Sequence, residues 1–396
     1  MALTNIRFCW GQTVSGFAGF ALAILVGLSP HALAQPVGAR ETAPAPAPKP
    51  EHSVSLRWIG AFKIPTGTLF EGVEFGGISG LDRAPNGRYW AISDNRESPR
   101  MYALRIDLDQ RGLHAVHIEQ MVTLRGADGQ PLPARTADTE AIRLTADGHL
   151  LIASEGHWNV NPGWRHPPFV SSFTTSGSFV RAFGLPPAFG LIDNRTTGAR
   201  SNKVLESLAV TPGGSVFAAV EGALIDDGPV STPASGSWLR LIKFDPASGA
   251  PAAQYAYALP PIPLPRPSEA GGAMASLASN GLSDLLAVSE DSFIAVERAY
   301  VPGQGVTVRL VLTRIGALTT DVSPLPSLSG GTFTPMSRQL LLELAVSAHG
   351  QRIDNIEAIA WGPVLANGNR SLVLVSDNNF SRRQTTQFLA WEVVSP

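Results

Sequence analysis

Acidic residues recur at two matching places along this sequence. Carboxylates that converge can hold a hard cation or move protons. Five segments align: GISGLDRAPNGRYWAISDN from Gly77, TEAIRLTADGHLLIASEG from Thr139, LESLAVTPGGSVFAAVEG from Leu205, GLSDLLAVSEDSFIAVER from Gly281 and IEAIAWGPVLANGNRSLVLVSDN from Ile356. Near the start of each stand Glu140, Glu206 and Glu357, with Ser79 and Ser283 in the matching places. Near the end stand Asp94, Glu155, Glu221, Glu297 and Asp377. Like charges gathered this way raise one another's pKa, and a cation relieves that cost. An all-oxygen, highly charged donor set suits Ca²⁺ first and Mg²⁺ second. The eight acids are therefore the expected metal ligands, with Glu140, Glu206 and Glu357 also the expected catalytic carboxylates that position water.

Basic residues flank these acids. Arg96 follows Asp94, Lys203 precedes Glu206, Arg298 follows Glu297, and Arg382 lies a few residues after Asp377. Guanidinium and ammonium groups beside a cation suit a phosphate ester, whose charge grows in the transition state. His157, just after Glu155, joins them as a candidate substrate contact, although a lone histidine is more often structural. The bland reading of the acids and bases is a solvated rim laced with salt bridges. No G-x-S-x-G elbow, H-E-x-x-H or P-loop occurs, and Arg165-His166 is not followed by the rest of the histidine acid phosphatase motif.

The elements that must position these residues are hairpins. Each segment is a short apolar strand, a tight turn and a second apolar strand. Asn86-Gly87, Asp147-Gly148, Gly213-Gly214 and Asn367-Gly368 supply the turns, and Glu290-Asp291 replaces them in the fourth segment. Two further strand-like runs follow each pair, such as WLRLIKF from Trp238 and AQYAYAL from Ala253. The units recur every roughly 60–77 residues, with almost no helical periodicity. An all-β propeller of four-stranded antiparallel blades is the expected fold: five blades, or six if a long insertion hides one. A two-sheet sandwich is the alternative. The last unit lacks a fourth strand, and LRWIGAFKIP from Leu56 is expected to supply it and close the ring. The start of a hairpin's first strand and the end of its second lie together, so the acids should meet at one mouth of the channel.

The remaining composition sets the context. Of 396 residues, 44% are hydrophobic and 16% charged, with 39 Gly and 32 Pro and a formal net charge of -2. That excludes a disordered polyelectrolyte, a coiled coil and a basic nucleic-acid binder. MALTNIR, an apolar run from Gly16 to Leu28 and Ala32-Leu33-Ala34 read as a signal peptide over 1–34. Cleavage removes Cys9, the one cysteine, and excludes disulfides and thiolate chemistry. A Pro/Ala-rich linker spans 35–52, and the propeller 53–396. An exported bacterial protein, periplasmic or secreted, is expected, with no membrane span after cleavage and a monomeric state.

The chain resembles the bacterial phytase-like family, described as having esterase-like activity of phytase. GISGLD with WAISDNR, TEAI with ASEG, NKVLESLAV with VEG, QLLLEL leading to DNIEAIAWGP, and the C-terminal LVSDNNFSRRQTTQFLAWEV carry the resemblance. It covers about residues 53–396 and implies an exported propeller that hydrolyses phosphomonoesters or other esters. Three functions are weighed: a metal-dependent phosphoesterase acting on a small-molecule ester, a non-catalytic propeller binding a ligand or protein, and a carboxylic ester or lactone hydrolase on the same site.

Overall fold

A computed structural model describes residues 54–193, 195–264 and 277–394. The segments read as signal peptide and linker, with Cys9, lie outside the described residues. Among the described residues no helix is long and apolar enough to cross a membrane.

Five four-stranded antiparallel sheets form a five-bladed propeller. Blade 1 runs Ile78–Arg83, Tyr89–Ser93, Arg100–Asp109, Gly112–Thr123. Blade 2 runs Thr139–Leu144, Leu150–Ser154, Phe169–Phe173, Phe179–Ala182. Blade 3 runs Leu205–Val210, Val216–Val220, Ser237–Phe244, Pro251–Leu259. Blade 4 runs Ser279–Ala287, Ser292–Val301, Gly305–Arg314, Ser337–Leu344. Blade 5 runs Asn355–Trp361, Ser371–Asp377, Thr386–Val394 and takes Ser55–Ile64 as its outer strand. The ring closes as expected, with Phe62 opposite Phe388 and Trp58 opposite Trp391. The sixth blade and the sandwich are not found among the described residues.

The alternation of side chains along a strand explains how sheets stack into a ring. In the inner strand of blade 5, Ala358 and Ala360 pack toward blade 1 with Ile78, Leu81 and Tyr102. Ile356 and Ile359 face the other way, onto Leu286, Ile294 and Val296 of blade 4. Each blade thus buries both faces, and apolar burial at roughly 25 cal/mol per Å² holds neighbouring blades together. The turns repeat too. Gly87, Gly148, Gly214 and Gly368 have φ of +87°, +85°, +89° and +86°, a region where a side chain would be strained. Blade 4 makes its turn without a left-handed residue, through Val288 N–H to the Ser292 carbonyl at 2.8 Å.

The channel is blocked below one mouth. Arg143, three residues beyond Glu140 on blade 2, reaches across the axis. Its guanidinium meets the Leu81 carbonyl of blade 1 at 2.8 Å, and Asp284 at 2.7 Å and the Leu285 carbonyl at 3.0 Å in blade 4. Asp284 in turn accepts the Ile359 N–H of blade 5 at 2.9 Å. Arg143 and Asp284 are both buried, so the space above them is a cup rather than a pore.

Candidate functional site

One local distortion repeats in all five blades. The pairing of the innermost strand slips at Ser79, Glu140, Glu206, Ser283 and Glu357, each the extra residue of a β-bulge. A bulge leaves one residue unpaired and re-aims its side chain. The five positions aligned from sequence are therefore the five bulges. All five residues are buried, and Glu140, Glu206 and Glu357 line one cavity of about 750 Å³ at the mouth above Arg143.

The second strand of each hairpin delivers the partner position. Asp94, Glu155 and Glu221 donate their backbone N–H to the carbonyls of Gly77, Asp138 and Val204, two residues before the bulge. Asp377 stands opposite Asn355 in the same way. In blade 4 the residue opposite Gly281 is Arg298, not Glu297. The structure corrects the expectation for Glu297 accordingly. One step out of register, its side chain takes the other face of the sheet. There it accepts hydrogen bonds from Tyr257 at 2.5 Å and Arg338 at 2.7 Å, and it does not line the cavity.

Asp94, Glu140, Glu155, Glu206, Glu221, Glu357 and Asp377 thus share the cavity. Arg298 stands among them, 3.3 Å from Glu357 and 3.6 Å from Glu221. Lys203 donates to Glu221 at 2.9 Å. Arg96 lies 2.5 Å from Asp138 and donates to Asn202 at 2.9 Å. Of the expected substrate contacts, Arg96, Lys203 and Arg298 line the cavity. Arg382 does not; its neighbour Arg383 does, together with Arg352. His157 lies in a smaller adjoining cavity that shares Arg96.

Burial pushes Asp94 up to about 7, helped by Glu357 and Asp138. Burial raises Glu140 well above the usual carboxylate range, with Asp138 and Glu206 adding to it. Glu155, Glu206 and Asp377 are raised by burial and then by neighbouring acids. Burial also raises Glu357, against the opposing pull of Arg298. For Lys203 and Arg298 burial favours the neutral form, but the surrounding carboxylates outweigh it and hold both cations charged.

Asp138 was not singled out from sequence. Its carboxylate, with those of Glu140 and Glu155, offers ligand oxygens all within 4.8 Å of one another. It sits two residues before the bulge and opposite Glu155, a position filled by Gly, Val, Gly and Asn in the other blades. The signal was there in the hairpin register, but Asp138 breaks the repeat instead of following it.

The donor set fits a hard divalent cation. Among the described residues the Glu140 and Glu206 carboxylates face the cavity without a protein hydrogen-bond donor, and Oδ1 of Asp94 is buried without a partner. Unpaired buried carboxylates are costly. A proton or a cation would relieve their mutual repulsion, and oxygen-only ligation suits Ca²⁺ or Mg²⁺.

The model of one protein family, Phytase-like, described as esterase-like activity of phytase, matches residues 73–380. The chain belongs to this family. No curated protein matches it. Among solved structures, a GH43 β-1,3-galactosidase with galactodeoxynojirimycin is 10% identical with a TM-score of 0.45, covering 84% of this chain and 95% of its own. The PQQ-bound aldose sugar dehydrogenase of Streptomyces coelicolor is 14% identical with a TM-score of 0.34, covering 88% and 100%. At such scores their activities do not transfer to this chain.

Proposed function

We propose that this member of the phytase-like family is an exported, divalent-cation-dependent hydrolase of phosphate monoesters, working in the carboxylate cup. The observation that carries the reading is the pair of buried, donor-less carboxyl groups Glu140 and Glu206 in a cup that also holds Arg298 and Lys203.

Asp138, Glu140 and Glu155 would hold the cation, with Ca²⁺ favoured over Mg²⁺ by the number of carboxylate oxygens. When bound, it supplies Lewis acidity to a phosphoryl oxygen and makes water more acidic. Arg298 and Lys203 neutralise phosphate oxygens, held in place by Glu221 beneath them. Arg96 sits at the border with the adjoining cavity, where it can meet an outer phosphate oxygen. Glu206 and Glu357, on the bulges of blades 3 and 5, orient water and pass the proton to the departing oxygen. Below them the Arg143–Asp284 pair closes the channel, so substrate enters and product leaves by the same mouth.

EDTA should abolish hydrolysis of a phosphate monoester, and Ca²⁺ or Mg²⁺ should restore it. Full turnover after exhaustive chelation, or in a Glu140→Gln/Glu206→Gln double variant, rejects the reading. One observation favours a second reading, a ligand-binding propeller without turnover: Arg298 and Lys203 are already paired with carboxylates of the cup. Calorimetric binding of a phosphorylated compound with no product formed selects it. A carboxylic ester or lactone turned over faster than any phosphate ester selects the remaining alternative.

A further inference from the structure

A second cavity of about 300 Å³ adjoins the cup and shares Arg96 with it. It is built by the loop after Glu155, which folds back on itself. His157 and His166 exchange backbone hydrogen bonds of 3.0 and 3.1 Å, and their rings stack at 6.0 Å. Trp164 stands at the rim, 46% exposed, with the Arg135 guanidinium 4.6 Å from its ring centroid.

His166 is 4% exposed; its ring has the Pro167 carbonyl as an acceptor nearby, and neither nitrogen makes a well-aligned hydrogen bond to a described residue. Nδ1 of His157 is buried and unpartnered as well. A neutral imidazole carries one donor and one acceptor, and leaving both unmade in a buried place is costly. The imidazole nitrogens suit a partner that both donates and accepts, as water or an alcohol does. A hydroxyl does both; a second phosphate group, fully ionised, only accepts and would leave the acceptor nitrogen bare. The two arginines of this cavity each stand beside a carboxylate, Arg96 beside Asp138 at 2.5 Å and Arg135 beside Glu97 at 2.6 Å, so a second phosphate placed here would also meet those negative charges.

We propose that this cavity is the leaving-group subsite of the phosphoesterase cup and takes an uncharged, hydroxyl-bearing group, as in a sugar or polyol monophosphate. The inference rests on the phosphomonoester reading. Arg96 lines both spaces and pairs with Asp138, which belongs to the Asp138–Glu140–Glu155 cluster behind them. A phosphate held by the cup would leave its alcohol facing His166, with the Trp164 ring as an apolar wall against the carbon skeleton.

The test compares glucose 6-phosphate with ethyl phosphate, which presents the same reacting group and no hydroxyl, on the full chain with Ca²⁺. His166→Phe should lower kcat/KM for glucose 6-phosphate by about 10–100-fold, mostly through KM, as expected for one or two lost hydrogen bonds. Ethyl phosphate should stay within about twofold, and His166→Gln, which keeps a donor and an acceptor, should retain most of the preference. Trp164→Leu, at an exposed position that tolerates change, should shift the ratio the same way. Equal losses on both esters, or an unchanged ratio in His166→Phe and Trp164→Leu, overturn the subsite. If the native protein hydrolyses neither ester, the phosphoesterase reading fails, and binding of glucose alone decides the cavity. A change in tryptophan emission on adding glucose that disappears in Trp164→Leu keeps it as a hydroxyl-binding pocket, and no change removes it.

Discussion

Arg298 and Glu221 hold matching places in neighbouring blades, and their side chains meet at 3.6 Å. Four blades deliver an acid to that place, and blade 4 alone delivers a guanidinium. It also reaches Glu357 at 3.3 Å and the Ser283 hydroxyl at 3.1 Å. The repeat is broken where a cation serves best, between the acids of blades 3 and 5. Arg298 is thus a built-in counter-ion for the cup and, on the phosphoesterase reading, the side chain expected to meet a phosphate.

Replacing it separates these roles. Arg298→Met should lower stability by about 3–5 kcal/mol in chelator, because buried carboxylates lose their charged partner. Added Ca²⁺ should recover part of that loss, since a cation can take over the neutralisation. Phosphate-ester turnover should stay about 10²–10³-fold down even with Ca²⁺. Denaturant melts with and without Ca²⁺, beside a kinetic assay, check this. A variant as stable as the native protein in EDTA would show that the guanidinium is not needed to neutralise the cup.

The pH dependence of the cation-free protein follows from the raised carboxyls. Asp94 lies near 7 in the folded chain, with Glu140, Glu155, Glu206 and Asp377 also raised, against about 4 when unfolded. Between these limits the folded state binds more protons than the unfolded state, so stability falls as pH rises. It should be greatest near or below pH 4–5 as far as these groups decide it, and decline through about pH 7. Ca²⁺ should reverse the trend above neutral pH, because its ligands must be deprotonated to bind it. Melting temperatures from pH 5 to 8, in EDTA and in Ca²⁺, test the claim. A flat profile in EDTA would contradict it.

The blades were legible because their hairpins count the same way. Eight residues separate Ser79 from Gly87, Glu140 from Gly148, Glu206 from Gly214 and Ser283 from Asp291. Seven more from the turn reach Asp94, Glu155 and Glu221. The same count from Asp291 reaches Arg298; Glu297 was singled out for its charge, against the spacing. Position in a hairpin decides which way a side chain points, and chemical type does not. The Arg143–Asp284 closure could not be read at all. Its partners come from four blades, and no local pattern marks a contact made across the ring axis.

Asp138 and Glu297 give opposite expectations for two nearly isosteric changes. Asp138→Asn removes a ligand oxygen's charge from the Asp138–Glu140–Glu155 cluster. It should weaken Ca²⁺ binding at least about tenfold, near the size of one charge-assisted contact. Glu297→Gln removes the charge that pairs with Arg338 and one of the two oxygens its guanidinium meets, while the amide oxygen can still accept from Tyr257. It should cost about 1–3 kcal/mol of stability and leave Ca²⁺ affinity unchanged. Calorimetric titration of both variants decides it. A larger loss of affinity in Glu297→Gln than in Asp138→Asn would return Glu297 to the ligand set.

Gly281 tests whether the cup depends on close packing beneath its acids. It sits two residues before the Ser283 bulge, opposite Arg298. A Cβ there would lie 2.5 Å from Cγ and Oε1 of Glu221, too close for either atom. Gly281→Ala should therefore drive Glu221 from its contacts with Arg298 and Lys203, at a cost of about 1–3 kcal/mol for the overpacking. Turnover should fall, because both cations lose the carboxylate that holds them. Gly316→Ala is the control: its nearest neighbour would be the Thr319 hydroxyl at 3.9 Å, and it should stay within about 0.5 kcal/mol of the native protein. Native-like turnover and stability in Gly281→Ala would mean that Glu221 has room to move and that the tight packing does not position the cations.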